Sequence, residues 1–338
     1  MTLLRESNII RKPPVNYVSN DAELYESSFE YTSRAPVLHR LGPVRVSSDS
    51  VVYKGMNLVG ETVVNENQVP YYRFRHLVKK MLSGRPITLS RKNKYLLITD
   101  AWSAGHYHWF TEVVPKLLLI EAQAREFVLL LPDTPYVRTI GIESIKLLGV
   151  LFADVQWMED SAFYEVPDLY YISRIAAPGQ VNDSLMQEIN LRLVTKELRA
   201  KRRFYVSRSD AKIRKVLNEE ELEPVLTNHG YEIIRPEGRS LAQQINLFSK
   251  CDSLLGIHGA GLTNCLFMPP GGTVIELLKR EPNHGYWHLA SSLGHQYFYL
   301  HGTPDSELSL IGKGCNLTVS PTELDRLLSE VKDADFSS

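Results

Sequence analysis

A histidine and a carboxylate in GHYHWFTEVVPKL, residues 105–117, are the first side chains that could do chemistry together. His108 and Glu112 are four residues apart, so a helix would place them on one face. Glu112 could then orient the imidazole or itself accept a proton, although the same pair also forms structural hydrogen bonds in folded cores. His106 and His108 could chelate a metal ion on a strand, but on a helix they point apart. Pro115 predicts a kink or the start of a new helix close by.

A glycine-rich segment, LLGIHGAGLTNCLFMPPGGTVIELL at residues 254–278, is the second candidate. Gly259 and Gly261 leave no side chain in the way and allow backbone conformations that other residues avoid. A helix starting near Ala260 would direct free N–H groups toward the preceding strand end, where a phosphate group could bind. A tight turn without a ligand fits the same residues, and His258 taken alone is typical of a structural histidine. The pattern matches neither the dinucleotide fingerprint nor the P-loop.

A basic loop and a single carboxylate complete the set of candidates. Arg208 and Arg214 lie in RRFYVSRSDAKIR, between a predicted strand and a predicted helix. At a strand end a guanidinium can grip a diphosphate through two parallel hydrogen bonds, while a solvated basic loop would have the same composition. Glu276 lies in the apolar strand TVIELL, where a carboxylate needs a partner. The vicinal hydroxyls of a ribose or a neighbouring arginine could supply that partner.

Two series of alternating strands and helices are predicted to position these residues. The strands of the first series are YLLITD, FVLLLP and DVQWM, and those of the second are RFYVSR, YEIIRP, SLLGIHG, TVIELL and QYFYLHG. Such alternation indicates βαβ units with parallel sheets, so the predicted fold class is α/β. A seam near residues 180–200 suggests two doubly wound domains that face each other across a cleft. Ligands of such sheets bind at the carboxyl ends of the strands.

The helix ends and the N-terminal region add further predictions. Ser240 is placed to cap the helix SLAQQINLFSKC, and Asn218 with Glu221 is placed to form a capping box on the helix NEEELEPVLTNHG. A polar helix is predicted over residues 183–201. For the first ninety residues we expect mixed strands and loops.

Composition excludes several classes of function. The 338 residues carry a formal net charge of −1, so no global field would recruit nucleic acid or an anionic membrane. The three cysteines form no CxxC pair, and their odd number argues against a disulfide framework. No stretch has the pattern of a signal peptide or a membrane span. We therefore expect a cytoplasmic protein in a reducing compartment.

Taken together, these segments resemble the glycosyltransferase 61 family, also described as capsular polysaccharide biosynthesis-like proteins. The resemblance rests on four segments that occur in the family's order over about residues 95–302: GHYHWFTEVVPKL, RRFYVSRSDAKIRKVLNEEEL, GIHGAGLTNCLFMPPGGTVIEL and YWHLASSLGHQYFYL. HGAGLTN is the most specific part. The resemblance implies a GT-B architecture of two Rossmann-like domains, with the acceptor-side domain at residues 1–190 and the nucleotide-sugar-binding domain at residues 191–338.

The resemblance also implies roles for individual residues. The family's helix histidine and acidic residue fall on His108 and Glu112, its phosphate-side arginine on Arg208, and its strand glutamate on Glu276. Its histidine–glycine loop falls on residues 258–264. Together with Arg214 of the basic loop, the predicted donor site comprises Arg208, His258, Gly259, Ala260, Gly261, Asn264 and Glu276.

The predicted reaction is an inverting transfer of a hexosyl or pentosyl group from a nucleotide sugar, with a UDP-sugar as the first choice, to a hydroxyl of a glycan or polysaccharide. Glu112 is the first choice for the general base, with His108 as the second choice or as its partner. No metal or other cofactor is expected, because no DxD motif is placed to hold a metal. A lipid-linked acceptor would bring the protein to the inner face of the membrane.

Three alternatives stay open on the sequence alone. The chain could be a nucleotide-sugar-binding protein without transferase activity. It could be a nicotinamide-dependent oxidoreductase, although the GxGxxG fingerprint is missing. It could also be a structural interaction protein that binds no nucleotide.

Overall fold

A computed structural model describes residues 3–64, 67, 69–72, 74–194, 201–311 and 314–336 of the chain. Strands and helices follow one another along the described residues, so the protein belongs to the α/β class that the sequence predicts. The strands are β1 (Ser7–Ile10), β2 (Glu30–Ser33), β3 (Leu38–Ser47), β4 (Val52–Lys54), β5 (Asn57–Leu58), β6 (Arg85–Thr88), β7 (Lys94–Leu97), β8 (Phe127–Pro132), β9 (Asp154–Met158), β10 (Ala162–Ile172), β11 (Arg202–Val206), β12 (Tyr231–Ile234), β13 (Cys251–Ile257), β14 (Thr273–Leu278), β15 (Gln296–His301), β16 (Thr303–Pro304) and β17 (Leu317–Thr318). The helices are α1 (Ala22–Tyr25), α2 (Val69–Tyr72), α3 (Phe74–Ser83), α4 (His106–His108), α5 (Val114–Ile120), α6 (Ile142–Leu147), α7 (Asp183–Leu193), α8 (Glu219–Asn228), α9 (Leu241–Phe248), α10 (Gly285–Ser292) and α11 (Pro321–Phe336).

The chain divides into two compact units. The first comprises Met1–Asn8 and Thr32–Leu185, and the second comprises Ile9–Tyr31 and Met186–Ser338. A division at residue 190 would leave Ile9–Tyr31 in the first domain, whereas the structure groups this segment with the second unit. Its backbone bonds to β15, because the N–H of Val15 donates to the carbonyl of Tyr297 at 2.9 Å. The predicted helix over residues 183–201 is observed as α7, and residues 195–200 lie outside the described part of the chain.

The first unit is built on an eight-stranded mixed sheet. Its order is β5-β4-β3-β10-β7-β8-β9, with β6 also paired to β10. The strands β10, β7, β8 and β9 run parallel, while β3 pairs antiparallel with both β10 and β4. All six residues of β8 are buried, as expected for a parallel strand covered on both faces. The sequence predicts β7, β8 and β9 correctly, but the expectation of a purely parallel sheet is wrong for this unit.

One strand missing from the prediction is β10, which lies in the middle of the first sheet. Its sequence, AFYEVPDLYYI, contains Pro167 and two carboxylates, residues that are depleted in central strands. The pairing register shifts between Val166 and Leu169, so the ladder is irregular at the proline. This irregularity explains why the segment lacks a simple strand pattern.

The second unit is built on a five-stranded parallel sheet with the order β12-β11-β13-β14-β15. Numbered within this unit the order is 2-1-3-4-5, which is one of the two common doubly wound topologies. The strand order reverses between β11 and β13. In doubly wound sheets the crevice at this reversal, outside the carboxyl ends of the strands, is where ligands bind. All five predicted strands of this series are confirmed.

The helix that carries His108 and Glu112 changes its character along its length. It begins as α4, widens to a π-helical turn over Trp109–Val113, and continues as α5 with Pro115 in its first turn. The prediction that a new helical segment starts near Pro115 is therefore confirmed. A π-helical turn often marks a functional site.

The capping predictions have opposite outcomes. The hydroxyl of Ser240 accepts from the N–H of Gln243, and the Gln243 side chain accepts from the N–H of Ser240, which makes a complete capping box on α9. The predicted box at Asn218 is wrong. Its side-chain amide donates to Glu221 and to the carbonyl of Val319, so it ties α8 to the segment before α11 instead of capping α8.

The capping box on α9 gives a test of the fold. Ser240→Ala removes the side-chain acceptor for one helix N–H and should cost about 1 kcal/mol of unfolding free energy. A lower urea midpoint of the transition that includes the second unit would show this loss. Gln243→Ala leaves the serine acceptor in place and should cost less. Equal midpoints for Ser240→Ala and the unaltered protein would contradict the assigned role of this cap.

Candidate functional site

In the first unit, His108 and Glu112 form a direct pair. Nδ1 of His108 lies 2.7 Å from Oε1 of Glu112. The imidazole side chain is 27% exposed, whereas the carboxylate is 12% exposed. Nε2 of His108 makes no hydrogen bond to the described residues. The structure thus brings together the two residues that the sequence singles out, with the imidazole as the more accessible partner.

The other carboxylate oxygen of Glu112 is held by Arg174. Nη1 of Arg174 donates to Oε2 of Glu112 at 3.0 Å, and Nη2 donates to Asp100 at 2.5 Å. Asp100 follows β7 and Arg174 follows β10, two parallel neighbours whose carboxyl ends meet at one edge of the sheet. Asp100 also accepts hydrogen bonds from the N–H of Trp102 and the hydroxyl of Ser103. These bonds fix the turn that leads into the helix carrying His108 and Glu112.

A buried lysine completes this cluster. Nζ of Lys116 donates to the carbonyl of Ile98 at 3.1 Å, and the residue is only 4% exposed. Glu112, Lys116, Arg174 and Asn182 are among the residues that line a cavity of about 10 Å³. That volume suits a single water molecule and no larger group.

Burial and charge act against each other on the ionisable groups of the cluster. Burial alone would raise the pKa of Glu112, but the hydrogen bond from His108 and the charges of Arg174 and Lys116 hold it below its ordinary value. Burial lowers the pKa of Lys116 to about 8, although Asp100 opposes this effect. Glu112 is therefore ionised at neutral pH, with each oxygen already accepting a hydrogen bond. These properties suit a carboxylate that orients an imidazole better than one that takes a proton itself.

In the second unit, the glycine loop and Arg208 meet at the point where the strand order reverses. Arg208 follows β11 and Gly259 follows β13, and Val206 of β11 pairs with Gly256 of β13. A Cβ atom placed on Gly259 would lie 2.9 Å from Nη1 of Arg208. The guanidinium therefore lies directly against the backbone of the loop.

Arg208 and Arg214 form a cationic pair without a carboxylate partner. Nε of Arg208 donates to the carbonyl of Arg214 at 3.1 Å, and among the described residues neither guanidinium makes an ion pair. Burial and the charge of Arg214 lower the pKa of Arg208. Arg214 also has a left-handed backbone with φ of 60°. The charge of Glu237 also acts on Arg208, but no described carboxylate forms an ion pair with either guanidinium. Such an arginine pair favours an anion from outside the chain.

The glycines of the loop are needed for space and not for backbone freedom. Gly259 has φ of 166°, an extended conformation that any residue adopts, so the predicted conformational role is wrong there. A Cβ atom on Gly261 would lie 2.6 Å from Cγ1 of Val206. Gly259 directly precedes a 3-10 helix over Ala260–Phe267, and Gly261 is the second residue of that helix. Its first residue, Ala260, is exposed.

His258 and Glu276 are joined by a short hydrogen bond. Nδ1 of His258 lies 2.6 Å from Oε1 of Glu276 and 2.7 Å from the side-chain nitrogen of Asn283. The hydroxyl of Tyr297 donates to the other oxygen of Glu276 at 2.6 Å. Glu276 is 1% exposed, and its partners within the chain are a histidine and a tyrosine, not the arginine that the sequence allows as one alternative. The carboxylate of Glu276 therefore holds the ring of His258 through its Nδ1 side.

Asn264 supports the same loop from inside. Its side-chain nitrogen donates to the carbonyl of Gly261 at 3.0 Å, and the residue is 1% exposed. Like Glu276, it shapes the site without facing solvent. Of the predicted donor residues, Arg208, Arg214 and Ala260 are the ones that keep accessible surface.

Sequence reasoning missed five residues that support the two sites. They are Asp100, Lys116 and Arg174 in the first unit, and Asn283 and Tyr297 in the second. Asp100 closes the predicted strand YLLITD, so the rule that ligand-side residues follow strand ends could have found it. Arg174 could not be found in this way, because β10 was not predicted.

Other features of the described residues bear on the earlier expectations. No group of three or more His, Cys, Asp or Glu side chains in this part of the chain is arranged to hold a metal ion. His106 bonds through Nδ1 to Tyr136, apart from His108, as expected for neighbours on a helix. None of the described helices combines the length and the apolar character that crossing a membrane requires. The three cysteines are buried and free.

Comparison with known proteins adds a family. The family model for glycosyltransferase 61 matches residues 106–275, about half of the chain. An EGF domain-specific O-linked N-acetylglucosamine transferase of Drosophila melanogaster is 38% identical over 96 residues, which cover 28% of this chain and 18% of that protein. The corresponding transferase of Mus musculus is 24% identical over 172 residues, covering 49% of this chain and 32% of that protein.

A plant enzyme is similar over a shorter region. The alpha-1,3-arabinosyltransferase XAT2 of Oryza sativa subsp. japonica is 34% identical over 74 residues, covering 21% of this chain and 12% of that protein. The chain thus spans about a third or less of the length of these relatives.

The close approach at Gly261 gives a test of the loop geometry. Gly261→Ala would press a methyl group against Val206, a buried β-branched residue of β11, and should cost roughly 1–3 kcal/mol of unfolding free energy. Gly60→Ala is the matched control, because a Cβ atom there meets nothing within 4 Å. Urea denaturation should lower the midpoint for Gly261→Ala alone. Equal effects of the two substitutions would show that the packing at Gly261 is looser than described.

Proposed function

Because the chain belongs to the glycosyltransferase 61 family, we propose that it is an inverting glycosyltransferase that uses a nucleotide-sugar donor. The observation that carries the proposal is the Arg208 guanidinium lying against the backbone of Gly259 at the strand reversal of the second sheet. A guanidinium, a second arginine and a glycine-lined backbone at this position suit the diphosphate of a nucleotide. A GT-B arrangement is part of the proposal, with the donor on the second unit and the acceptor on the first.

The first unit supplies the base in this proposal. Nε2 of His108 takes the proton of the acceptor hydroxyl as its oxygen attacks the anomeric carbon of the donor. Glu112 holds the Nδ1–H side of the ring and stabilises the imidazolium that forms. This assignment exchanges the roles expected from the sequence, because Glu112 is the more buried group and both its oxygens are already engaged.

The second unit stabilises the leaving group. As the bond between the anomeric carbon and the diphosphate oxygen breaks, negative charge grows on the nucleoside diphosphate. Arg208, Arg214 and the backbone N–H groups after Gly259 would stabilise that charge. His258, held by Glu276, would shape the wall of the same site.

Donor and acceptor follow from the names of the relatives only in outline. One relative named above is an N-acetylglucosamine transferase and another an arabinosyltransferase, so both hexosaminyl and pentosyl donors belong in the test. We propose a UDP-sugar as the donor and a glycan hydroxyl as the acceptor, without a metal ion as a requirement. An acceptor linked to a lipid would bring the protein to a membrane surface.

Donor binding is tested by thermal shift. A ligand that binds only the folded state stabilises it, by about 2.7 kcal/mol at one hundred times its dissociation constant. UDP-sugars should raise the melting temperature more than GDP-sugars, CMP-sugars or NADH. Stabilisation by NADH alone would favour the oxidoreductase, and a melting temperature that no nucleotide changes would favour a structural protein.

The diphosphate assignment predicts a selective effect of Arg208. Arg208→Ala removes charge-assisted hydrogen bonds and should weaken UDP binding by roughly tenfold to a hundredfold in calorimetric titration. Arg202→Ala is the matched control, because Arg202 lies at the opposite end of the same strand and pairs with Glu232. Unchanged UDP affinity in Arg208→Ala would exclude this residue from the donor site.

The base assignment predicts losses of turnover without loss of donor binding. His108→Ala should lower kcat by roughly a hundredfold to ten-thousandfold, and Glu112→Gln should lower it less. UDP affinity should stay at the level of the unaltered protein in both variants. His229→Ala, which removes a histidine paired to Asp325 at 2.8 Å, is the control and should keep full activity. A larger loss in Glu112→Gln than in His108→Ala would return the base role to Glu112.

A further inference from the structure

Three charged side chains surround the His108–Glu112 pair, and together with Glu112 their charges balance. Asp100 and Glu112 are the carboxylates, and Arg174 and Lys116 are the cations. They come from three separate parts of the first unit: the loop after β7, the loop after β10, and the helix that carries His108. With a neutral imidazole the cluster has no net charge.

We propose that Arg174 is a positioning residue for the His108–Glu112 pair and that Asp100 holds Arg174 in place. The inference rests on the proposed function, since it concerns the group assigned there as the base. Arg174 touches no substrate in this account. It acts through Glu112, whose second oxygen it occupies.

The geometry explains how Arg174 can fix the pair. One nitrogen of its planar guanidinium donates to Glu112 and another donates to Asp100, so the fork is held at two points. Asp100 is itself fixed by the N–H of Trp102 and the hydroxyl of Ser103. Glu112 can therefore present only its first oxygen to Nδ1 of His108. The ring is then oriented with Nε2 directed away from the cluster.

The charge of Arg174 should also set the pH range in which the base works. Among the described residues, the charged groups that face the pair are Asp100, Lys116 and Arg174. The titratable tyrosines nearby are Tyr107 against the His108 ring, Tyr171 beside Lys116 and Tyr72 near Asp100. A cation near the imidazole disfavours its protonated form, and a carboxylate favours it. The guanidinium of Arg174 remains charged throughout, because the neighbouring carboxylates outweigh the effect of its burial and raise its pKa.

Two substitutions should move the acid limb of the pH profile in opposite directions. Arg174→Gln removes a cation, so the acid limb of kcat/KM should move to higher pH by roughly one unit. Asp100→Asn removes an anion, keeps the acceptor for the Trp102 turn, and frees Arg174 to pair more closely with Glu112. Its acid limb should therefore move to lower pH. Arg174→Lys keeps the positive charge but loses the planar guanidinium that bonds to both carboxylates. We therefore expect kcat to fall while the acid limb of kcat/KM stays at the same pH.

Arg40→Gln is the matched control. Arg40 makes an equally direct pair with Asp168 in the same unit, at 2.7 Å, but it is 66% exposed and apart from the cluster. Its pH profile should not move. Damage to the fold alone would lower activity in Arg174→Gln and Asp100→Asn without shifting their acid limbs in opposite directions, and that result would overturn the inference.

A measurement without turnover separates this inference from the proposed function. The midpoint of the NMR titration curve of the His108 ring should move to higher pH in Arg174→Gln and to lower pH in Asp100→Asn. These shifts should occur whatever reaction the protein performs. Opposite shifts in a protein that transfers no sugar would refute the proposed function and keep the positioning role. If the protein transfers sugar but the His108 titration curves of both variants coincide with that of the unaltered protein, the proposed function stands and the positioning role of Arg174 is refuted.

Discussion

Parallel strands end at a common edge of their sheet, and both candidate sites depend on that constraint. In the first unit the cluster is assembled from residues that follow β7 and β10. In the second, Arg208 and the glycine loop follow β11 and β13 on either side of the strand reversal. Residues far apart in sequence thus become neighbours because the loops after adjacent strands leave the sheet at the same edge. The helices and the buried apolar strands serve to hold these edges in place.

The two sites use charge in opposite ways. The first is balanced internally, since two carboxylates face two cations, and the imidazole is its more accessible member. The second keeps two neighbouring guanidinium groups that lack an ion-pair partner among the described residues. A balanced cluster suits proton transfer from a neutral hydroxyl, while an unbalanced cationic one suits a ligand that brings its own negative charge. The proposed transfer from a nucleotide sugar to an alcohol would require both kinds of site.

Much of this architecture could be predicted from the sequence, for identifiable reasons. The buried strands β8 and β14 are short apolar runs, and the box at Ser240 has the required glutamine three residues on. The central strand β10 escaped prediction because Pro167 and its register shift interrupt the pattern, and Arg174 escaped with it. Local rules also could not show that Glu276 would pair with His258, because that contact depends on how two parallel strands align.

The account is tested most directly by the stereochemistry of the reaction. The purified protein would be incubated with UDP-sugars of known anomeric configuration and a glycan acceptor, and the product linkage would be followed by proton NMR. A single displacement, with His108 as the base and the nucleoside diphosphate as the leaving group, predicts that the product has the opposite anomeric configuration from the donor. Retained configuration, or no transfer from any nucleotide sugar to any glycan, would contradict it.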